Sequence, residues 1–213
     1  MKKIVVVLGM GRSGTSLACQ ALSRMGVSFG DRLLGPSKRN ERGHWEHLGI
    51  KKAQIAMTVR HGIAGYLFQC RMPDFIEPDC EQELAGLVAA EMERFPLFGF
   101  KEPLTTRLLP AWRRIFDSIQ AQPVFIGCFR SPDAIYLSLL HEGEAFSRHS
   151  AETNRAISLI WAEYAHEIRA LGAAEIWYED WADQEERQVQ ILARAAGWTG
   201  ALPRVYEPEL CHA

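Results

Sequence analysis

The first apolar run of the chain, "KIVVVLG" at residues 3–9, is largely β-branched and does not alternate with polar residues. Such a run predicts a strand buried on both faces. In "TSLACQALSRMG", which follows, Leu17, Ala21, Leu22 and Met25 recur at helical spacing, and Gly26 suits the C-terminal cap. Residues 28–48 are polar and glycine-rich, which predicts a long loop with a functional role. A helix is predicted over 49–60, an irregular but apolar stretch over 61–78, and a second helix over "EQELAGLVAAEMERF". "LFGFKEP" reads as a short strand stopped by Pro103, residues 105–120 as a helix, and "PVFIGCFR" as the clearest inner strand. Ser131-Pro132 has the chemistry of a helix start, a serine cap with proline at the first helical position. A helix over 151–171, a strand at "AEIWYED" and a helix over 184–196 complete the pattern.

Strands that alternate with helices, most of them apolar throughout, predict an α/β fold with a central parallel sheet and helices on both faces. Ligands of such sheets gather beyond the carboxyl ends of the strands. Chemistry is therefore expected in segments 9–16, 101–103, 129–132 and 178–181.

Composition narrows the picture. The 213 residues suit one domain, 1–213, and 47% hydrophobic with 23% charged residues can bury a sizeable core. A net charge of −2 argues against bulk nucleic-acid binding and makes any phosphate site a local one. Five scattered cysteines (Cys19, Cys70, Cys80, Cys128, Cys211) include no C-x-x-C pair. They read as those of a reduced, cytoplasmic protein rather than a disulfide framework or zinc site. Lys2 and Lys3 before a short apolar run could open a signal peptide, but the run breaks into Gly-Arg-Ser-Gly, so a first strand is expected. No stretch approaches the ~20 apolar residues of a membrane span.

"LGMGRSGTSL", residues 8–17, spaces Gly9 and Gly14 as in G-x-x-x-x-G-K-[ST], yet Thr15 and Ser16 follow with no lysine between. Glycines such as Gly11 and Gly14 let backbone N–H groups turn inward around an anion, and a helix start points its positive end at it. Ser13, Thr15 and Ser16 add hydroxyls, and Arg12 adds charge. The plainer alternative is a strand-to-helix turn that uses glycine for tightness. A magnesium-dependent kinase or NTPase would use a loop lysine and a strand-end aspartate. Here the strand ends carry Lys101 and Arg130 instead.

On these residues the chain resembles the sulfotransferases that use 3′-phosphoadenosine-5′-phosphosulfate (PAPS). "GMGRSGTSL" is similar to their 5′-phosphosulfate loop, and "FRSPDAIYLSLL" to their 3′-phosphate motif. In that motif a strand-end arginine and a serine eight residues on bind the extra phosphate, which implies Arg130 and Ser138. "WYEDWADQEERQVQILARAAGW" and "NERGHWE" resemble later and bacterial-type segments, so the motifs run in family order from residue 4 to about 198. The resemblance implies a P-loop-like three-layer sandwich, PAPS as donor with PAP as product, and no metal. It implies transfer of a sulfuryl group to a hydroxyl or amine by in-line displacement. A non-catalytic nucleotide-binding protein of the same fold is one alternative, and a small-molecule kinase using ATP is another.

The resemblance puts Tyr178 near the adenine, although a strand-end core aromatic reads equally well. Arg130 could instead be an ion-pair partner. Lys101 could reach the sulfuryl oxygens or be a solvated strand-end lysine, and Arg12 takes the place of the loop lysine of many relatives. For the base that deprotonates the acceptor, "GHWEH" offers Glu46 first and His44 second. The plainer alternative is that Glu46 only charges the first turn of the helix at 49–60. His44, Glu46 and His47 show no fourth-ligand pattern for a metal. The other histidines (His61, His141, His149, His166, His212) are dispersed; His141 and Glu142 could line an acceptor cleft. Trp161, Trp177, Trp181 and Trp198 are expected to pack the second half. Acceptor recognition falls to residues 28–80, where "GIAGYLFQCRMPDF" suggests an apolar, aromatic wall for a small-molecule, glycan or lipid acceptor.

Overall fold

The computed structural model describes residues 1–37, 40, 43–60, 78–141 and 151–207. Four parallel strands form its sheet, β1 (Lys2–Leu8), β2 (Phe98–Lys101), β3 (Ala121–Phe129) and β4 (Ala174–Trp177), in the order β2-β1-β3-β4. The run read as doubly buried is β1, the inner strand. Ile4, Val5, Val6, Val7 and Leu8 are all fully buried. Val5 and Val7 pack with α1 (Thr15–Arg24) and α7 (Trp181–Ala196) through Ala18, Leu22, Val189 and Leu192. Ile4, Val6 and Leu8 face the opposite layer, made by α2 (Leu48–Arg60), α3 (Pro78–Arg94), α4 (Leu109–Ser118) and α6 (Ala151–Ala170). The result is the expected three-layer α/β arrangement. A smaller cluster joins Met10 of the first loop to Ile135 and Leu139 of α5 (Pro132–His141) and to Ile157 and Tyr164 of α6. That contact pins the loop after β1 to the helix after β3.

The strand registers bring the polar ends into one plane. Val7 pairs with Lys101 on one side, and Leu8 pairs with Gly127 on the other. Phe129, the residue before Arg130, pairs with Trp177, the residue before Tyr178. Because all strands are parallel, Arg12, Lys101, Arg130 and Tyr178 leave the same edge of the sheet.

Two local differences from the sequence reading have physical causes, and a third is the exposure of one tryptophan. The helix expected over 105–120 is broken into a 3-10 turn, Pro103–Leu108, and α4. Pro110 has no N–H and is tolerated only in a first turn, so the α-helix must start beside it. The Glu102 carboxylate caps the preceding turn by accepting from the Leu104 N–H at 2.7 Å. The last strand stops at Trp177 rather than running to 180, because Gln188 of α7 takes the Trp177 N–H at 3.1 Å and donates to Asp180 at 3.2 Å. This edge strand is thus turned into helix by a side chain far along the sequence. Finally, Trp181 is fully buried as expected of the second-half tryptophans, and Trp161 and Trp177 pack together at 6.4 Å, but Trp198 is exposed. The helix start at Ser131-Pro132 is as read, with Ser131 Oγ accepting from the Ala134 N–H at 3.2 Å.

Candidate active site at the carboxyl ends of the strands

The loop between β1 and α1 turns on two backbone features. Gly14, the N-cap of α1, has φ 84°, and a Cβ there would lie 2.6 Å from the Tyr178 ring. Only glycine provides both the left-handed angle and the clearance. Arg12 is left-handed without being glycine, at φ 71°, a conformation that costs about 1–2 kcal/mol. It is held by its neighbours: its carbonyl accepts from Arg130 Nη1 at 3.3 Å, and its Nε donates to Ser138 Oγ at 3.0 Å. The Arg130 guanidinium in turn lies over the Tyr178 ring, 4.4 Å from its centroid. Arg12, Arg130, Ser138, Gly14 and Tyr178, drawn from three strand ends and one helix, therefore form one cluster. Ser138, a mid-helix serine, is buried rather than on the surface.

The loop hydroxyls serve partly to build the loop. Ser13 Oγ donates to the Met10 carbonyl at 2.7 Å and is buried. Ser16 Oγ donates to the His44 carbonyl at 3.4 Å and accepts from Asn40 at 3.0 Å. Thr15 packs in the first turn of α1 against Gly9, and Gly11 lies half-buried between Met10 and Arg12.

The polar stretch 28–48 folds back on itself. Leu34 N–H donates to the Glu46 carbonyl and Leu48 N–H to the Arg32 carbonyl, each at 2.8 Å, and Leu33 bridges to His47. Trp45, with φ 58°, turns the returning segment, and its ring packs edge-on against Phe29. This hairpin carries Glu46 to the end of β2. There the buried carboxylate is gripped from two sides: Lys101 Nζ donates to Oε1 at 2.9 Å, and Lys51 Nζ to Oε2 at 2.6 Å. Lys51 also lies 3.9 Å from Glu102. Burial alone would push the Glu46 carboxyl up, but the two ammonium groups outweigh it and hold it below its ordinary value. The same burial keeps the neighbouring Cys19 thiol protonated, its pKa pushed up to about 12.

His44 is placed differently. Its ring Nε2 is 2.9 Å from Ser37 Oγ. Burial lowers its pKa, Glu46 opposes this, and Lys101, Lys51 and Arg12 add to it, so the ring is neutral at neutral pH. His47 turns away altogether: its Nδ1 accepts from the Ile50 N–H at 3.3 Å, and its Nε2 faces Glu91 at 3.6 Å. His44, Glu46 and His47 thus have three separate sets of partners. Among the described residues no group of three or more His, Cys, Asp or Glu is arranged to hold a metal ion. The apolar wall expected at 62–75 and the Glu142 position lie outside the described residues.

Lys51 is the site residue that sequence reasoning missed, and a signal for it existed. A cation in the first turn of a helix opposes the helix dipole unless a carboxylate faces it. Lys51 occupies that turn of α2, which has no acidic residue of its own.

No protein-family model matches the chain, and no curated protein does. Among solved structures, the sulfotransferase domain from the curacin biosynthetic pathway superposes on it with a TM-score of 0.51. The superposition covers 99% of this chain and 77% of that domain, at 14% sequence identity. The chain has the fold of a sulfotransferase domain. The motif resemblance and the architecture thus agree on a fold whose ligands meet the carboxyl ends of the strands.

Proposed function

We propose that the chain is a sulfotransferase that moves a sulfuryl group from PAPS to the hydroxyl, or amine, of an acceptor. The observation that carries this reading is the meeting of Arg12, Arg130 and Ser138: the Arg130 guanidinium of one phosphate-type motif donates to the backbone carbonyl of Arg12 in the other, 118 residues away, and Arg12 Nε donates to Ser138. A donor with phosphates at both its 3′ and 5′ positions needs such paired anion sites.

The residues suit that ligand by their chemistry. Two guanidinium groups, an ammonium group and the N-terminus of α1 all face one edge, and an aromatic ring lies beside the arginine pair. In this reading Arg130 and Ser138 hold the 3′-phosphate, the 9–16 loop holds the 5′ end, and Tyr178 flanks the adenine. PAPS supplies a sulfuryl group already activated by a phosphate leaving group. Arg12 neutralises charge that grows on non-bridging and leaving oxygens as a fixed electrostatic contribution, and Lys101 joins it by turning from Glu46 towards the donor. Glu46, ionised and held at the mouth of β2, takes the acceptor's proton as the new oxygen–sulfur bond forms. It stands ahead of His44 because its carboxylate meets Lys101 among the strand ends, at 2.9 Å.

Transfer of radiolabelled sulfuryl from PAPS to a panel of phenols, sugars, lipid alcohols and amines tests the reading. Label in one acceptor class, with release of PAP, is the expected result. PAP binding without transfer to any of them would favour a nucleotide-binding protein of the same fold.

A further inference from the structure

The grip on Glu46 is asymmetric, and the asymmetry suggests a division of labour between its two lysines. Lys101 comes from the last residue of β2, inside the plane of strand ends where Arg12 and Arg130 also emerge. Lys51 comes from the first turn of α2, on the far side of the carboxylate, and is additionally steered by Glu102 at 3.9 Å. Glu102 is itself immobilised, since its other oxygen caps the 3-10 turn. Lys51 is therefore held between two carboxylates, Glu46 and Glu102, whereas Lys101 meets Glu46 from the side of the strand ends.

We propose that Lys51 is the positioning residue for Glu46: it fixes the Oε2 edge of the carboxylate and stays with it when Lys101 turns towards the donor. This rests on the reading of Glu46 as the base. With Lys51 in place, one carboxylate oxygen is held while the other is released to face the acceptor. Without it, Glu46 would lose its second cation at the moment Lys101 is drawn away, in a pocket whose burial favours the neutral acid. The charged and titratable groups around Glu46 are Lys101 of β2, Lys51 of α2, His44 of the hairpin and Cys19 of α1, with Glu102 behind Lys51. His44 is neutral and Cys19 protonated at neutral pH, so the two lysines carry the effect.

Carbon NMR of the Glu46 side-chain carboxyl, identified by its disappearance in Glu46→Gln, tests the proposal without any turnover. In Lys51→Met the titration should move to higher pH, and Lys51→Arg should return it towards the parent. With PAPS and an accepting alcohol from the panel above, Lys51→Met should lose up to about a hundredfold in kcat, as expected when a catalytic group is misplaced by about an ångström. The acid limb of the kcat profile should move to higher pH while PAP affinity is kept. An unmoved carboxyl titration in Lys51→Met overturns the proposal. So does a loss of activity accompanied by equal loss of PAP binding and thermal stability, which a purely structural lysine would give. If Lys51→Met does not fold, Lys51→Gln is titrated in the same way. Normal turnover in Glu46→Gln would instead sink the base assignment, and the proposal with it, even where Lys51 still shifts the titration.

Discussion

Arg12 Nε donates to Ser138 Oγ at 3.0 Å, joining the loop after β1 to the middle of α5 across 126 residues of sequence. A serine in a helix interior ordinarily gains little by being buried, because its hydroxyl must find a partner there. Here the partner is a charged group of the candidate site. In the proposed function the same hydroxyl donates to the 3′-phosphate, so Ser138→Ala should cost about 1.5–3 kcal/mol of ligand binding, or roughly ten- to hundredfold in PAP affinity. Calorimetry of the variant with PAP checks it. Unchanged affinity would mean that the serine only supports Arg12.

Arg130 makes a sharper claim, because its assigned ligand group can be removed from the ligand. Arg130→Ala should weaken PAP by roughly ten- to hundredfold and leave AMP nearly untouched. Equal losses for the two nucleotides would show that the arginine acts through its contacts with the Arg12 carbonyl and the Tyr178 ring.

Glu46 links activity to pH and to stability. Its folded pKa lies below the ordinary 4.5. The carboxylate therefore contributes stability that is fully present above that value and lost as pH falls through the folded pKa. Acid denaturation of Glu46→Gln should be less steep than that of the parent in this range. For activity, Glu46→Gln should keep PAP binding and cut kcat by about 10²–10⁴, while His44→Ala costs far less. Were His44 the base, kcat would fall off at pH values below the ordinary histidine value of 6.5, since burial lowers its pKa. That break, with normal turnover in Glu46→Gln, would reverse the assignment.

Gly14 tests the loop geometry itself. An alanine there must adopt a left-handed angle and place its Cβ against the Tyr178 ring, 2.6 Å away. Gly14→Ala should lower stability by about 1–3 kcal/mol, a drop of several degrees in Tm for a chain of this size. Adding Tyr178→Ala should relieve the clash but not the angle, so the double variant recovers only part. A Gly14→Ala protein as stable as the parent would show that the turn differs from the one described.

Much of this architecture was legible because it depends on local pattern. The unbroken apolar run of Ile4–Leu8 can be buried only between two layers of helices, and that implies parallel strands with chemistry at one edge. Arg130 and Ser131-Pro132 were visible for the same reason, as strand end and helix cap. Ser13 and Ser16 show where sequence stops: a hydroxyl aimed at an anion and one aimed at the Met10 or His44 carbonyl are the same letter. The grip of Lys51 on Glu46 was hidden more deeply. It exists only because the stretch 28–48 pairs with itself, and that pairing is set by contacts such as Leu34 with Glu46 that no short-range periodicity records.

Calorimetry of the chain with PAP, AMP, ATP and ATP–Mg²⁺ tests for a paired-phosphate donor site served by arginine and lysine. PAP should bind without metal and more tightly than AMP, and Arg130→Ala should abolish the difference. Tight binding of ATP–Mg²⁺, with no preference for PAP over AMP, would rule such a site out.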